Sequence, residues 1–187
     1  MSTIVKIDIP QRDEFISQGD IFRDLKYIYC FHEMEKYVDV VEITFPYVIV
    51  LSQACDMKGM YEIINNNGKS TKQMISVLVA PLFDKSKVQN GDYLKKILGT
   101  NTPSEKGFSS KDKSTIENDF HYRFHFLNFE SSFLEVPDSV IDFKQYFTLN
   151  IDILYKNVSK RICTLQPIFK EQVTLKFSTY LTRVAIP

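Results

Sequence analysis

The sequence predicts a β-rich α+β fold closed by a C-terminal helix, and three observations carry that prediction. The chain of 187 residues holds 15 Phe and 10 Tyr but no Trp, and aromatic side chains favour pleated, half-buried surfaces. Short runs of β-branched and apolar residues at 47–51 and 74–80 end at polar residues or Pro, as strands covered on both faces do. From Pro167 onward Phe169, Val173, Phe177, Tyr180, Leu181 and Val184 recur at helical spacing, and Pro is favoured in a first helical turn.

The elements follow in chain order. Gln18-Gly19-Asp20 is a turn signal, and after it Leu25, Tyr27, Tyr29 and Phe31 alternate with Lys26, Ile28, Cys30 and His32 as in a strand. A second strand is predicted over 37–45, with Val41, Ile43 and Phe45 on one face, ended by Pro46. The run 47–51 is a third and stops at Ser52-Gln53-Ala54-Cys55-Asp56. Asn65-Asn66-Asn67-Gly68-Lys69 reads as a turn, since Asn and Gly tolerate positive φ. The strand over 74–80 is closed by Pro81.

Over 87–98 the positions of Tyr93, Leu94, Ile97 and Leu98 predict a short helix with Gly99 as its C-cap. Residues 100–117, rich in Ser, Thr, Lys and Gly, have the composition of a mobile surface loop. Strict alternation returns at 120–126, where Phe120, Tyr122, Phe124 and Phe126 oppose His121, Arg123 and His125, a half-buried strand. Pro137-Asp138-Ser139 turns the chain into a strand over 140–149, and 160–165 adds another. With no internal repeat, 1–187 is read as one domain: a core at about 17–85 and 119–165, an insertion at 86–118 and a helix over 166–184.

Composition excludes several classes. The 23 basic and 23 acidic residues cancel, so no global positive field draws the chain to nucleic acid, although a local patch is compatible with this balance. Cys30, Cys55 and Cys163 are three at wide spacing, neither a disulfide framework nor a zinc pattern, which suits a reducing, cytoplasmic compartment. No stretch has the ~20 apolar residues that cross a bilayer, and the first ten residues have no secretory core. No metal and no cofactor are predicted.

Two groups of polar residues stand out as candidates. Ser52, Gln53, Cys55 and Asp56 sit where a buried strand surfaces, a usual place for binding residues. Cys55 is a nucleophile if a base lowers its pKa, and Asp56 could orient that base; alternatively Cys55 packs as a small apolar group while Ser52 and Asp56 satisfy turn amides. On the predicted strand His121, Arg123 and His125 share a face about 7 Å apart in succession. They fit phosphate contact, partial metal ligation with Cys55 or Asp56, or a plain solvated face. Cys30 and His32 supply only two of the usual four metal ligands. Arg183, at the end of the last helix, is favoured there by the carbonyl ends.

Gly19-Asp20-Ile21, then Val48-Ile49-Val50-Leu51-Ser52, then Val77-Leu78-Val79-Ala80-Pro81-Leu82 resembles the order of elements in the MazF/PemK toxin family. The resemblance implies an SH3-like barrel with a helical insertion and a C-terminal packing helix. Leu51-Ser52-Gln53-Ala54-Cys55-Asp56 with Thr182-Arg183-Val184-Ala185-Ile186-Pro187 is more closely similar to bacterial proteins that carry a Ser-Gln-x-Cys-Asp motif and an Arg-Val-Gly-Leu-Pro-like tail. The chain departs from the toxins: 27–53 contains no Arg, and Pro81-Leu82 is followed by Phe83-Asp84.

The functional expectation is therefore a non-catalytic interaction module. It would bind a protein partner or nucleic acid through Ser52, Gln53, Cys55, Asp56 and Arg123. The resemblance implies a bacterial toxin-antitoxin or anti-phage setting with a larger component as partner, and homodimerisation is compatible with an apolar helix stripe. Two alternatives stand beside it: a MazF-like nuclease using His121, Arg123 and His125 as proton shuttle and phosphate clamp, and a Cys55-dependent hydrolase or metal site.

Overall fold

The computed structural model describes residues 3–11, 15–66, 73–98, 107–129 and 136–183. Gly99 and most of the Asn65–Lys69 turn lie outside the described residues, as do Val184 and the chain end. The described strands form a nine-stranded sheet ordered β1-β6-β7-β5-β4-β3-β9-β2, with β8 beside β5. Here β1 is Ile4–Val5, β2 Ile7–Asp8, β3 Asp20–Glu33, β4 Val38–Val50, β5 Ser76–Asp84, β6 Phe124–Phe129, β7 Ser139–Asp142, β8 Phe147–Asn150 and β9 Arg161–Leu165. The two ends of that path are one piece of chain. Only Lys6 separates β1, parallel to β6, from β2, antiparallel to β9. This short segment draws the two edges together into a nearly closed barrel, a β-rich α+β fold.

Both faces of the central strands are covered, which explains their unbroken apolar runs. Ile21, Ile49, Leu51, Ala80 and Leu82 pack on one face with Phe169, Val173 and Phe177 of α6 (Pro167–Leu181). Phe22, Val48, Val50, Val77 and Val79 pack on the other with Met57 and Met60 of α1 (Ala54–Asn66), and with Ile151 and Leu154 of α5 (Ile151–Lys156). Between β5 and β6, α2 (Lys85–Asn90), α3 (Lys95–Leu98) and α4 (Ser110–Glu117) build a third cluster around Val88, Tyr93, Ile116, Phe124 and Phe126.

Several expectations are corrected. The expected helix over 87–98 is two short ones, because Gly91 adopts φ 76 and caps α2. Part of the expected loop is α4, started by Ser109, whose side chain accepts from Asp112 N–H. Neither Pro46 nor Pro81 ends its strand. Pro46 falls between the pairs Arg23↔Tyr47 and Leu25↔Phe45, opposite Asp24 at φ 49, so no ladder bond needs its missing N–H. β5 changes partner along its length, from β8 to β4 to β7. Residues 140–149 break at a 3-10 turn, Phe143–Gln145.

The strand pair β3 and β4 is far longer than the barrel. β3 meets β9 only at Asp20–Phe22, and β4 meets β5 only at Val48–Val50. Beyond these pairings Leu25, Ile43 and Phe45 are still buried in the core beside Phe147, and past them the hairpin projects as a two-stranded arm, closed by a Met34 N–H bond to Tyr37 O. The expected alternation along β3 fails at a β-bulge between Ile28 and Cys30. The bulge admits one extra residue. Ile28, opposite Glu42, and Phe31, opposite Val40, therefore share one face although three positions apart.

Candidate functional site

A cleft of about 860 Å³ opens between the start of β6 and α6. Its walls include Asp119, Phe120, His121, Tyr122, His125 and Lys176. The site is assembled from three stretches of chain. α4 is capped by Asn118, and Asp119 follows at φ 61 with its N–H bonded to Ile116 O. Asp is among the few side chains that tolerate this region. The turn points the Asp119 carboxylate at β6, where it accepts from Phe126 N–H at 3.3 Å and lies 3.0 Å from His125 Nδ1. Lys176, from the middle of α6, gives the same carboxylate an ion pair and bonds Asp119 O at 2.7 Å. Burial works to raise the Asp119 pKa, but hydrogen bonds and charge from His125 and Lys176 outweigh it and hold the carboxyl below 3.8.

The expected wet face at 120–126 is not formed. β6 begins only at Phe124, and Phe124, His125, Phe126 and Leu127 are all buried. Two layers cover it: α6 and Phe143 on the His125 side, the α2–α4 cluster on the Phe124 and Phe126 side. Phe120 and Tyr122, expected to face the core, are exposed at the cleft.

The expected trio of polar side chains separates into different roles. His125 lies against Asp119. His121 sits in the loop before β6, its Nδ1 accepting from Arg123 N–H at 3.2 Å and its ring stacked on Tyr122 at 4.9 Å. Burial first, then the charges of Arg123 and Lys176, push the His121 imidazole below 6.5. Arg123 grips Asp142 of β7, with Nε and Nη2 each 2.7 Å from one carboxylate oxygen, while Tyr93 donates to Asp142 at 2.8 Å. Arg183 lies over the Tyr122 ring, 3.7 Å from its centroid, a cation–π contact at the cleft mouth.

Ser52, Gln53, Cys55 and Asp56 stand apart from this cleft and line none of it. Ser52 extends the β4–β5 ladder with its side chain, Oγ accepting from Leu78 N–H at 2.8 Å. Gln53 O receives Met57 N–H at the start of α1. Cys55 is exposed, with Sγ 3.6 Å from Gln53 Oε1 and 3.7 Å from Asp56 Oδ1. Ser52→Ala strands the Leu78 amide, so a loss of about 1–3 kcal/mol in urea unfolding is expected. An unchanged midpoint would show that water replaces the hydroxyl.

Among the described residues, no three His, Cys, Asp or Glu side chains are grouped to hold a metal ion. Cys30 Sγ and His32 Nε2 are 3.7 Å apart on the arm. No helix among the described residues is long and apolar enough to cross a membrane. Sequence reasoning missed Asp119, which meets His125 from a left-handed turn, and Lys176, which meets Asp119 from a helix. The fold and cleft place the chain among β-rich α+β proteins, a nearly closed barrel with a helix on one face. Compared with family models, curated proteins and solved structures, it matches none.

Proposed function

We propose that this chain is a non-catalytic protein-interaction module built on an SH3-like barrel, and that the β3–β4 arm is its binding element. The adjacency of β3, β4 and β5 supports the barrel reading, since these strands carry the Gly-Asp-Ile, Val-rich and Pro-Leu segments. A single observation carries the binding reading. The arm exposes Ile28, Tyr29, Phe31, Met34, Tyr37, Val38, Val40 and Val41, with Phe31 69% and Tyr37 63% accessible. By the β3–β4 register Ile28, Phe31, Val38 and Val40 share one face and Val41 lies on the other, so that one face leaves on the order of 450 Å² of apolar surface open, a size that often marks an interaction site. An isolated two-stranded hairpin is marginal without packing, so a covering partner would steady this one.

The chemistry of the partner follows from charge. Along the arm Glu33, Glu35 and Asp39 stand against Lys36, while Glu42 is paired with Lys26 at 2.7 Å. Glu33 lies opposite Val38, and Glu42 opposite Ile28, on the face that carries Phe31 and Val40. The complementary surface is a protein groove with an apolar floor and a Lys- or Arg-bearing rim. Two arms face to face would oppose like charges.

A photo-crosslinking phenylalanine analogue at position 31, introduced in cells that make the protein, should yield one discrete adduct. With the captured partner purified, Phe31→Glu with Val40→Glu should weaken binding at least about 30-fold, as hot-spot losses do, with Tm held to within a few degrees. A diffuse ladder of adducts, or affinity indifferent to both glutamates, would overturn the proposal. An adduct of twice the chain mass would replace the partner with a second copy.

A further inference from the structure

At the root of the arm β4 and β5 diverge. They pair only over Val48–Val50, so β4 from Glu42 to Pro46 and β5 from Leu82 onward are the two edges of a fork. Hydrogen bonds at either end fix where their backbone groups point. Tyr37 O takes the Met34 N–H and so faces β3. The bulge lies on β3, and alternation along β4 turns Asp39, Val41, Ile43 and Phe45 toward β3, and Val38, Val40, Glu42 and Thr44 away from it. The buried side chains agree: Ile43 and Phe45 share a cluster with Val48 and Val50, and Val50 O, which accepts from Gly19 N–H, is on the β3 side. On β5, Leu78 O takes the Leu51 N–H, while Lys85 N–H bonds to Asp138 O on the β7 side. Both place the Leu82 backbone toward β4. The N–H and C=O groups of Glu42, Thr44 and Leu82 thus point into the fork, and none of them bonds another described residue.

A cavity of about 340 Å³ lies between these edges, with Ile43, Pro46, Leu82, Phe83, Tyr93 and Ile97 in its walls. The charges in the same walls are matched. Glu42 pairs with Lys26 at 2.7 Å. Asp84 accepts from the Ser86 and Lys87 amides and has the Lys87 ammonium as its countercharge. Two unpaired edges facing one another are satisfied by a third extended backbone, as in strand addition. The volume is near the lower limit for ligand sites, so it admits the inward side chains of a strand and excludes a helix.

We infer that this fork takes up an extended, uncharged peptide segment as an added strand, bonded to the backbone of Glu42, Thr44 and Leu82, with apolar side chains turned into the cavity. Neither Phe31 nor Val40 lines the fork, so the site is separate from the apolar face of the arm.

The test pans a displayed library of random linear dodecapeptides against the whole protein and measures the enriched sequences as synthetic peptides. They should be rich in β-branched and apolar residues, poor in charge, and bind with Kd at or below about 100 µM. Thr44→Pro removes an outward N–H without touching a bond to β3, and should weaken binding at least about tenfold, the loss of a strand-pairing bond. In NMR-detected amide exchange the bound peptide should slow Glu42, Thr44 and Leu82 at least about tenfold and leave Ile43, already bonded to β3, nearly unchanged. That measurement uses the unaltered chain, so it decides even if Thr44→Pro does not fold. The inference is overturned if no peptide is enriched, or if peptides bind and those three amides stay unprotected. Peptides indifferent to Thr44→Pro but lost with Phe31→Glu and Val40→Glu sit on the face of the arm, and they overturn it as well.

Discussion

Arg161→Met is expected to remove about 3–5 kcal/mol of stability, the cost of breaking a buried ion pair from one side, and to lower Tm on the order of 10 °C for a chain of this size. Asp20 opens β3 and is 1% accessible, and its pair with Arg161 is sealed, each side chain 2% exposed. The guanidinium also donates to Phe15 O and Gln11 O, so it ties the chain ahead of the barrel to β9. Methionine keeps the apolar stem and removes only the charge and its donors. Burial raises the Asp20 pKa above 3.8 despite the Ser17 amide and Arg161, which work the other way. Without Arg161 that rise grows. A carboxyl whose folded pKa is raised is tolerated while protonated and loses stability as pH climbs through that pKa. Urea unfolding of the variant should therefore show its largest deficit at neutral pH and a smaller one near pH 4. A deficit independent of pH, or below about 1 kcal/mol, would mean Asp20 is not stranded.

What the sequence made legible depended on how far each signal reaches along the chain. The run at 47–51, the end of β4, was readable because Val48, Ile49 and Val50 are buried on both faces and each carries the mark, and the one at 161–165 from Ile162, Cys163 and Leu165. α6 was readable from Phe169, Val173 and Phe177 behind Pro167. α1 was not foreseen, although Met57, Met60, Tyr61 and Ile64 recur at helical spacing, because the Asn run drew attention to a turn and Gly59 interrupts the pattern. The bulge between Ile28 and Cys30 left no local signal, yet it decides that Phe31 and Ile28 share a face. At the site, His121 and His125 were picked out by residue type. Their surroundings were not, since Lys176 lies 57 positions beyond Asp119 and reaches it only through the docking of α6. Alternation at 120–126 misled because it presumes one wet face, and α6 removes it.

Arg123→Met tests the other sealed pair, and its asymmetry is informative. Asp142 is 0% accessible, while the Arg123 side chain keeps 16% of its surface in water. Removing the arginine leaves Asp142 with Tyr93 Oη and the Lys144 amide as donors but without its countercharge. That should cost about 3–5 kcal/mol. Asp142→Asn retains an oxygen for the Lys144 amide and leaves the positive group near solvent, so its cost should be about 1–3 kcal/mol. The ordering follows from which charge is stranded, and equal losses would refute it. The same measurement separates two uses of Arg123. A side chain held by Asp142, and bonded to Tyr93 Oη at 2.8 Å, is a strut between β7 and the α2–α3 segment. Its loss should lower Tm far more than it weakens any ligand measured at a temperature where the variant stays folded. If Arg123→Met kept its Tm and abolished binding, the strut would be wrong and the arginine would belong to the binding surface.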